Sequence, residues 1–569
     1  MKKTYMVVSM VLIVTILAAI AVSGTMVSKT GKENDRLNPA PFDKIKSPIS
    51  SSGLSMLYNK EQFTPEIMGN VKKEIGSPTL ANIKFNLETG NLHQNEETVG
   101  AYRQYVLSGA NDYRGFFGIL GGVSGYYVSK DNGTSTWREG ALPTLSGVES
   151  GTAQAFTAYS GGDPVIDVYK ATGDFYYGSL YFDDTTNTWA LGLAKSTPAK
   201  LVDKTLTDAQ VWQVTNVRAD DAGVQANDKE WVAVDNTAGT YKGKIYVTWT
   251  AFNAAGAKIW MARCNPSPLS CSTTHNNANA VSGAQTETQM SKVSIDSAGR
   301  VIVTWVEYIS TGVTTPPYYK VKLWYRVYAP GGVVALTAPR LIATLDKPVS
   351  GYYALQGNEM RVPAGLWNEV TTVAGKSRMY TAYFKCNGAY LYDDMVGYAD
   401  SCSNSDSYLK YVDGYETATP TMSSEMGLET SPIAHSFWPT MSINPASGTL
   451  DIAWYQTEAI MKHDYSVAYQ QRSLSTPTTI TSPTSLIYAG DPDSEVYFGT
   501  FGTKYGYING IFIGDYFHIT TQPGTPNRIY IGYNGNTRYA APITYTHPTL
   551  GTFKMGGNQM DNILYTKTY

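Results

Sequence analysis

Titratable and polar residues recur in this sequence at intervals of about 60 to 80 positions, each just ahead of a short apolar run. They are Glu96 and Glu97, Asp163, Asp228 with Glu230, Glu287, Arg361, His435, and Asp515 with Tyr516. Brought to one place, carboxylates, a guanidinium, an imidazole and a phenol would form a polar binding mouth, and the same residue types serve acid–base and nucleophilic chemistry. The competing reading is structural: such residues also cap strands and bond the backbone of a neighbour. Asp163 and Asp515, each directly after a glycine, fit that role best.

The elements that would position them are short β-strands. Asp228 to Arg263 parses as three, WVAVD, KIYVTWTAF and KIWMAR, separated by Gly, Asn and Thr. Trp231, Val232, Val234, Ile245, Val247, Trp249, Ile259 and Met261 alternate mostly with period two, which a sheet buries and a helix does not. The same order, a strand, an Asp-containing turn, a Trp-bearing strand and a third strand, returns along the chain from Gln94 to the end, most weakly around Met360 to Cys402. This predicts an all-β chain folded as one β-propeller of seven blades, or six if the weak copy elaborates its neighbour. NIKFNLETG, near residues 82 to 90, is a spare strand that would complete the last blade and close the ring.

The N-terminus places Lys2 and Lys3 before an apolar run from Met6 to Val22, an export signal over 1–24 that is either cleaved or kept as a membrane anchor. A Lys-, Ser- and Pro-rich leader or stalk is expected over 25–77 and the propeller over 78–569. Charged residues make up only 16% of the chain and the net charge is -3 without a basic run, which disfavours nucleic acid or an anionic bilayer as partner. An extracellular or cell-surface location is expected, with any membrane link through the N-terminal segment. In that compartment Cys264 with Cys271, and Cys386 with Cys402, are expected to form disulfides across local loops.

SKDNGTSTW, from Ser129 to Trp137, resembles the Asp-box turn of exported BNR-repeat, sialidase-like propellers, with one extra residue between Gly133 and Trp137. QNEETVGAYRQYVLSGANDYRG, GDPVIDVYKATGDFYYGSLYF and GDYFHITTQPG extend the resemblance over about residues 80 to 569. It implies that Ser129, Asp131 and Trp137 staple a turn on the face away from the mouth. For activity it implies an Arg cluster, a Tyr–Glu pair and a proton-transferring acid. Arg114 and Arg361, with Arg218 or Arg103, are the candidates for the cluster, and Asp163, Asp515 and Tyr516 for the remaining roles. The early Arg-Ile-Pro motif of true sialidases is missing, and Arg361-Val362-Pro363 comes late.

Three functions remain open on the sequence. One is an exported propeller that binds glycans or another surface ligand through Glu97, Asp228, Glu230, Glu287 and His435. The others are a glycoside hydrolase with a nonstandard site and a self-associating surface or filament subunit, which the abundance of Tyr suggests. No cofactor motif occurs: a phosphate loop, a Gly-x-Ser-x-Gly elbow and a His-Glu-x-x-His helix are all missing. Oxygen ligands alternate at Asp491, Asp493 and Glu495, the preferred loop if calcium binds, and at Asp400, Asn404 and Asp406. Neither has the Gly and terminal Glu of a full EF-hand loop.

Overall fold

The computed structural model describes residues 82–87, 94–115, 120–221, 223, 225–313, 317–349, 354–355, 361–393, 398–428, 435–457, 465–490, 513–524, 526–547 and 551–568. The export segment 1–24, the leader 25–77 and the loop holding Asp491, Asp493 and Glu495 lie outside these residues.

The chain is an all-β propeller. Strands Gln94–Tyr102, Tyr105–Asp112, Ser124–Ser129 and Arg138–Ala141 form the first antiparallel sheet. The second has five strands, from Leu145–Val148 through Ala155–Tyr169 to Gln213–Asp221. Two four-stranded sheets follow, one led by Gln225–Val234 and the other by Thr288–Ile295. Apart from a separate pair, Tyr390–Asp393 with Tyr398–Cys402, the remaining strands form a thirteen-stranded sheet that contains meanders led by Leu366–Val373, His435–Asn444 and His518–Gln522.

The blade count differs from expectation. Sheets of four strands or more number five, not seven or six. Two one-residue parallel bridges, Ser405 to His435 and Gly490 to Asn536, fuse meanders that the repeat pattern treats as separate. Such bridges depend on where two backbones happen to approach, and no side-chain pattern encodes that.

Each lead strand packs against the next in chain order, and His518–Gln522 also lies against Gln94–Tyr102. The spare N-terminal strand is found: Asn82–Lys84 pairs antiparallel with Ile563–Tyr565 of the C-terminal strand. Beside it, Phe85 is buried with Tyr530 and Leu564, and the Asn86 amide donates to Asp561.

The repeat's tryptophans are core. Trp249, Trp305 and Trp454 are fully buried on their second strands. The indole N–H of Trp249 donates to Asn227 and that of Trp305 to Gln285, so burial leaves neither donor unmet. Both expected disulfides are present, and among the described residues no helix is long and apolar enough to cross a membrane.

Candidate functional site

The site is built by one backbone device used repeatedly. In five lead strands the ladder register slips, between Asn95 and Thr98, Gly162 and Val165, Asp228 and Trp231, Gln289 and Lys292, and Phe437 and Thr440. At each slip a residue other than glycine takes a left-handed φ: Glu96 57°, Asp163 55°, Lys229 53°, Met290 55° and Trp438 46°. A bulge of this kind re-aims the side chain, at a backbone cost of about 1–2 kcal/mol for an L-residue. In the seventh lead segment Gly514 takes φ 107°, and a Cβ there would sit 2.8 Å from the backbone N of Glu96.

The re-aimed side chains meet. The Lys229 ammonium lies 2.9 Å from Glu96 Oε1, 2.9 Å from Asp163 Oδ2 and 2.7 Å from Asp515 Oδ2. Arg361 reaches the same Asp515 oxygen at 2.9 Å. Asn111 Nδ2 donates to the other Glu96 oxygen at 2.7 Å, and Asn111 Oδ1 accepts from the backbone N of Asp163. One buried lysine thus ties its own lead strand to two others and to the segment ahead of His518–Gln522, and all three of its carboxylate partners are almost wholly buried.

Burial dominates the electrostatics. It drives the Glu96 carboxyl well above its ordinary value, helped by the Asp163 charge and opposed by Lys229. Asp228 is pushed up to about 6 by burial. Glu230 rises well above the usual carboxylate range through burial and then through the charge of Asp163. Burial alone would lower Lys229, but Asp163, Asp515 and Glu96 hold it well above its usual value, as a permanent ammonium.

Against this polar cluster lies a cavity of about 50 Å³. Its walls are the indoles of Trp231, Trp367 and Trp438 with Phe384, Phe517 and Tyr516, and Lys229, Glu230, Lys292 and Asp515 line it as well. Trp231 and Trp367 meet edge to face at 4.7 Å. The Lys292 ammonium sits 3.2 Å from the centre of the Trp367 ring and 3.5 Å from Glu369. Burial pushes Lys292 down to about 7, with Glu369 pulling the other way. His518, bonded through Nδ1 to Thr98 Oγ1, is lowered to about 3 by burial and then by Lys292.

Of the residues singled out from sequence, Asp163, Asp228, Glu230, Arg361, Asp515 and Tyr516 are brought to this centre. Tyr516 is set as a structural phenol: its hydroxyl donates to the Pro164 carbonyl at 2.8 Å, and burial, with the Glu96 charge next, raises its pKa well above normal. Glu97 is fully buried beside Glu96, and burial raises its carboxyl, while the Asn534 side chain counteracts the rise. Glu287 forms a parallel bridge with Ala257 in the neighbouring sheet, and His435 bridges Ser405, so both mark seams between units.

The arginine cluster does not assemble. Arg114 is bound by Asp112 and Glu139 within the first sheet. Arg218 pairs with Asp220, and Arg103 lies over Tyr102 in a hairpin. Of the four candidates only Arg361 reaches the centre. Sequence reading missed Lys229 and Lys292 because a buried lysine is rare and strand alternation alone gives it no reason to point inward. The available signal was the broken alternation of Asp228-Lys229-Glu230-Trp231, where polar residues occupy both faces in turn.

The Ser129–Ser135 turn is a staple. Asp131 Oδ1 accepts from the backbone N of Thr134 and Ser135 and from the Ser129 hydroxyl. The backbone N of Asn132 donates to Gln104 O, in the hairpin that follows the first lead strand, so the turn lies at the opposite end of the sheet from Glu96. Among the described residues no group of acidic, His or Cys side chains is placed to hold a metal ion. In the second candidate calcium segment, Cys402 is committed to a disulfide and Asp406 accepts from Asn387.

No family model matches the chain, and no curated protein is similar enough to count as a relative. Solved structures that resemble it include a polysaccharide lyase of family PL25, an ulvan lyase, at 9% identity and TM-score 0.43 over 84% of this chain and 96% of that one. An α-L-arabinofuranosidase of Fusarium graminearum matches at 10% identity and TM-score 0.36, over 70% and 93%. An endo-arabinase of Bacteroides thetaiotaomicron matches at 12% identity and TM-score 0.29, over 57% and 93%. Likeness this distant assigns no role to any residue, and the fold stands on its strand pairing.

Proposed function

We propose that this chain is an exported, sialidase-like propeller that binds carbohydrate at its centre without cleaving it. The observation that supports this reading is the cavity between the lead strands, walled by Trp231, Trp367 and Trp438 and carrying Glu230 beside Lys229. Indole faces match the C–H faces of sugars, and the buried polar groups fix the hydroxyl or other substituent that enters. At about 50 Å³ the cavity has room for a substituent of a few heavy atoms rather than a whole ring. The pairing of Asn82–Lys84 with the C-terminal strand is taken in this reading as the closure of the ring, and the two local disulfides fit an extracellular home.

Binding without turnover is favoured because the parts a sialidase needs are dispersed or already engaged. Three of the four candidate arginines are held elsewhere, and Tyr516 is bonded as an ordinary phenol. One feature favours the hydrolase reading: burial pushes Asp228 up to about 6 and raises Glu230 well above the usual carboxylate range, the direction a general acid needs. A glycan microarray probed with the secreted protein, followed by titration of the best ligand under tryptophan fluorescence, tests the proposal. Saturable quenching that weakens at least tenfold in Trp438→Ala is expected, and no bound glycan on the array would refute it.

A further inference from the structure

Resting on that carbohydrate reading, we propose that the cavity selects sugars bearing a free amine, with Glu230 as the group that receives the ammonium. Glu230 lines the cavity, is 2% exposed, and neither of its carboxyl oxygens has a hydrogen-bond partner among the described residues. A buried carboxyl left this way costs free energy that a donor from outside would recover. The walls around it are mostly aromatic faces, which attract a cation, and the two lysines that line the cavity are each paired with carboxylates, Lys229 with Glu96, Asp163 and Asp515 and Lys292 with Glu369.

The charges that face Glu230 point the same way. Asp163 and Asp228 raise its affinity for positive charge, Lys229 lowers it, and the phenols of Tyr177, Tyr181 and Tyr516 lie within its field. Lys229 is already shared among Glu96, Asp163 and Asp515, and Arg361 is bound to Asp515, so the nearest cations are spent on other carboxylates. An acidic sugar would meet Glu230 and Asp515 in the cavity, where Lys229, Lys292 and Arg361 are already paired with carboxylates. An ammonium on a sugar carbon would instead meet Glu230 among three indoles. Lys292 already shows the arrangement from within, with its own ammonium over Trp367 and Trp231.

Binding of this kind has a proton balance. Burial raises the Glu230 carboxyl well above the usual carboxylate range, which favours the protonated acid in the free site. When the ligand ammonium arrives, the pair forms as carboxylate and ammonium and the carboxyl proton goes to solvent, so protons are released on binding and affinity falls with acidification. A neutral or N-acetylated sugar accepts a hydrogen bond from the intact carboxyl and releases none.

The test is calorimetric titration of the full-length secreted protein with oligomers of glucosamine, N-acetylglucosamine, glucose and N-acetylneuraminic acid, and with cyclohexylamine, in two buffers of different ionisation heat. The expected result is at least tenfold preference for the glucosamine oligomer over its N-acetylated form, with proton release. Glu230→Gln, which keeps shape and neutrality, should lose both the preference and the buffer dependence while unfolding at an unchanged temperature. Equal binding of neutral and amino sugars without proton release would overturn the amine selectivity and leave the carbohydrate reading standing. Binding of cyclohexylamine but of no sugar would overturn the carbohydrate reading, and binding of none of these compounds would overturn both.

Discussion

At the scale of single residues, the centre depends on Lys229. Three buried carboxylates, two on lead strands and Asp515 just ahead of His518–Gln522, share its ammonium, so Lys229→Met strands them in a low-dielectric site, and breaking a buried ion pair in this way costs about 3–5 kcal/mol. Urea unfolding at pH 7.5 should show that loss, and at pH 5 a smaller one. Without the lysine the folded variant binds more protons than the unfolded chain, so its stability falls as pH rises. His518 acts with the opposite sign. Its folded pKa of about 3 lies below the unfolded value, so the unfolded chain takes up the proton first and the wild type loses stability as pH falls from about 6.5. Asp167 and Asp228, both raised to about 6 by burial, gain stability over part of the same range. His518→Asn should therefore remove about 1–2 kcal/mol of the acid loss between pH 6.5 and 5, measured by the same unfolding curves. An equal loss in both proteins would contradict the burial account.

At the scale of elements, the bulge in the lead strand is what turns a sheet into a site. The alternating pattern of Trp231, Val232 and Val234 was legible and predicted the strand correctly, and so were the Trp-bearing second strands and both disulfides. The bulge itself was not, because Glu96, Asp163, Lys229, Met290 and Trp438 share no residue type and none is the glycine that usually marks a left-handed position. Their conformation is imposed by the packing of neighbouring strands, which is tertiary information. Asp163 and Glu230 could be named from the sequence as polar residues at strand entries, but whether such a residue becomes a pin or a cavity wall depends on this bend. One left-handed residue carries no such duty. Ala374, exposed at φ 48° ahead of Gly375 in the hairpin after Leu366–Val373, occupies a turn position that favours Asn. Ala374→Asn should stabilise the protein by about 0.5–1 kcal/mol in thermal unfolding without changing ligand affinity. A destabilised variant would show that Ala374 carries a packing duty of its own.

At the scale of the whole molecule, a hydrogen-bonded seam joins Asn82–Lys84 to the C-terminal strand. Asn82–Lys84 covers the outer edge of the C-terminal strand, and Lys84 and Asn86 both reach Asp561. A protein truncated to begin at residue 91 exposes that edge, and exposed edges pair with other chains. It should melt at a lower temperature and elute as dimers or larger species in size-exclusion chromatography, and a monomer of unchanged melting temperature would show the seam to be dispensable. The five-sheet count belongs to this scale too, since single backbone bridges decide it and the repeat could not have foretold them. What the repeat does foretell is that the lead strands come together and bring Asp163, Glu230 and Asp515 to one centre. The most direct test of what that centre does uses one oligosaccharide measured twice on the full-length protein, once for binding by calorimetry and once for cleavage by analysis of the recovered sugar. Saturable binding with the oligosaccharide returned intact is the predicted result, and accumulation of shorter products that stops in Glu230→Gln would contradict it.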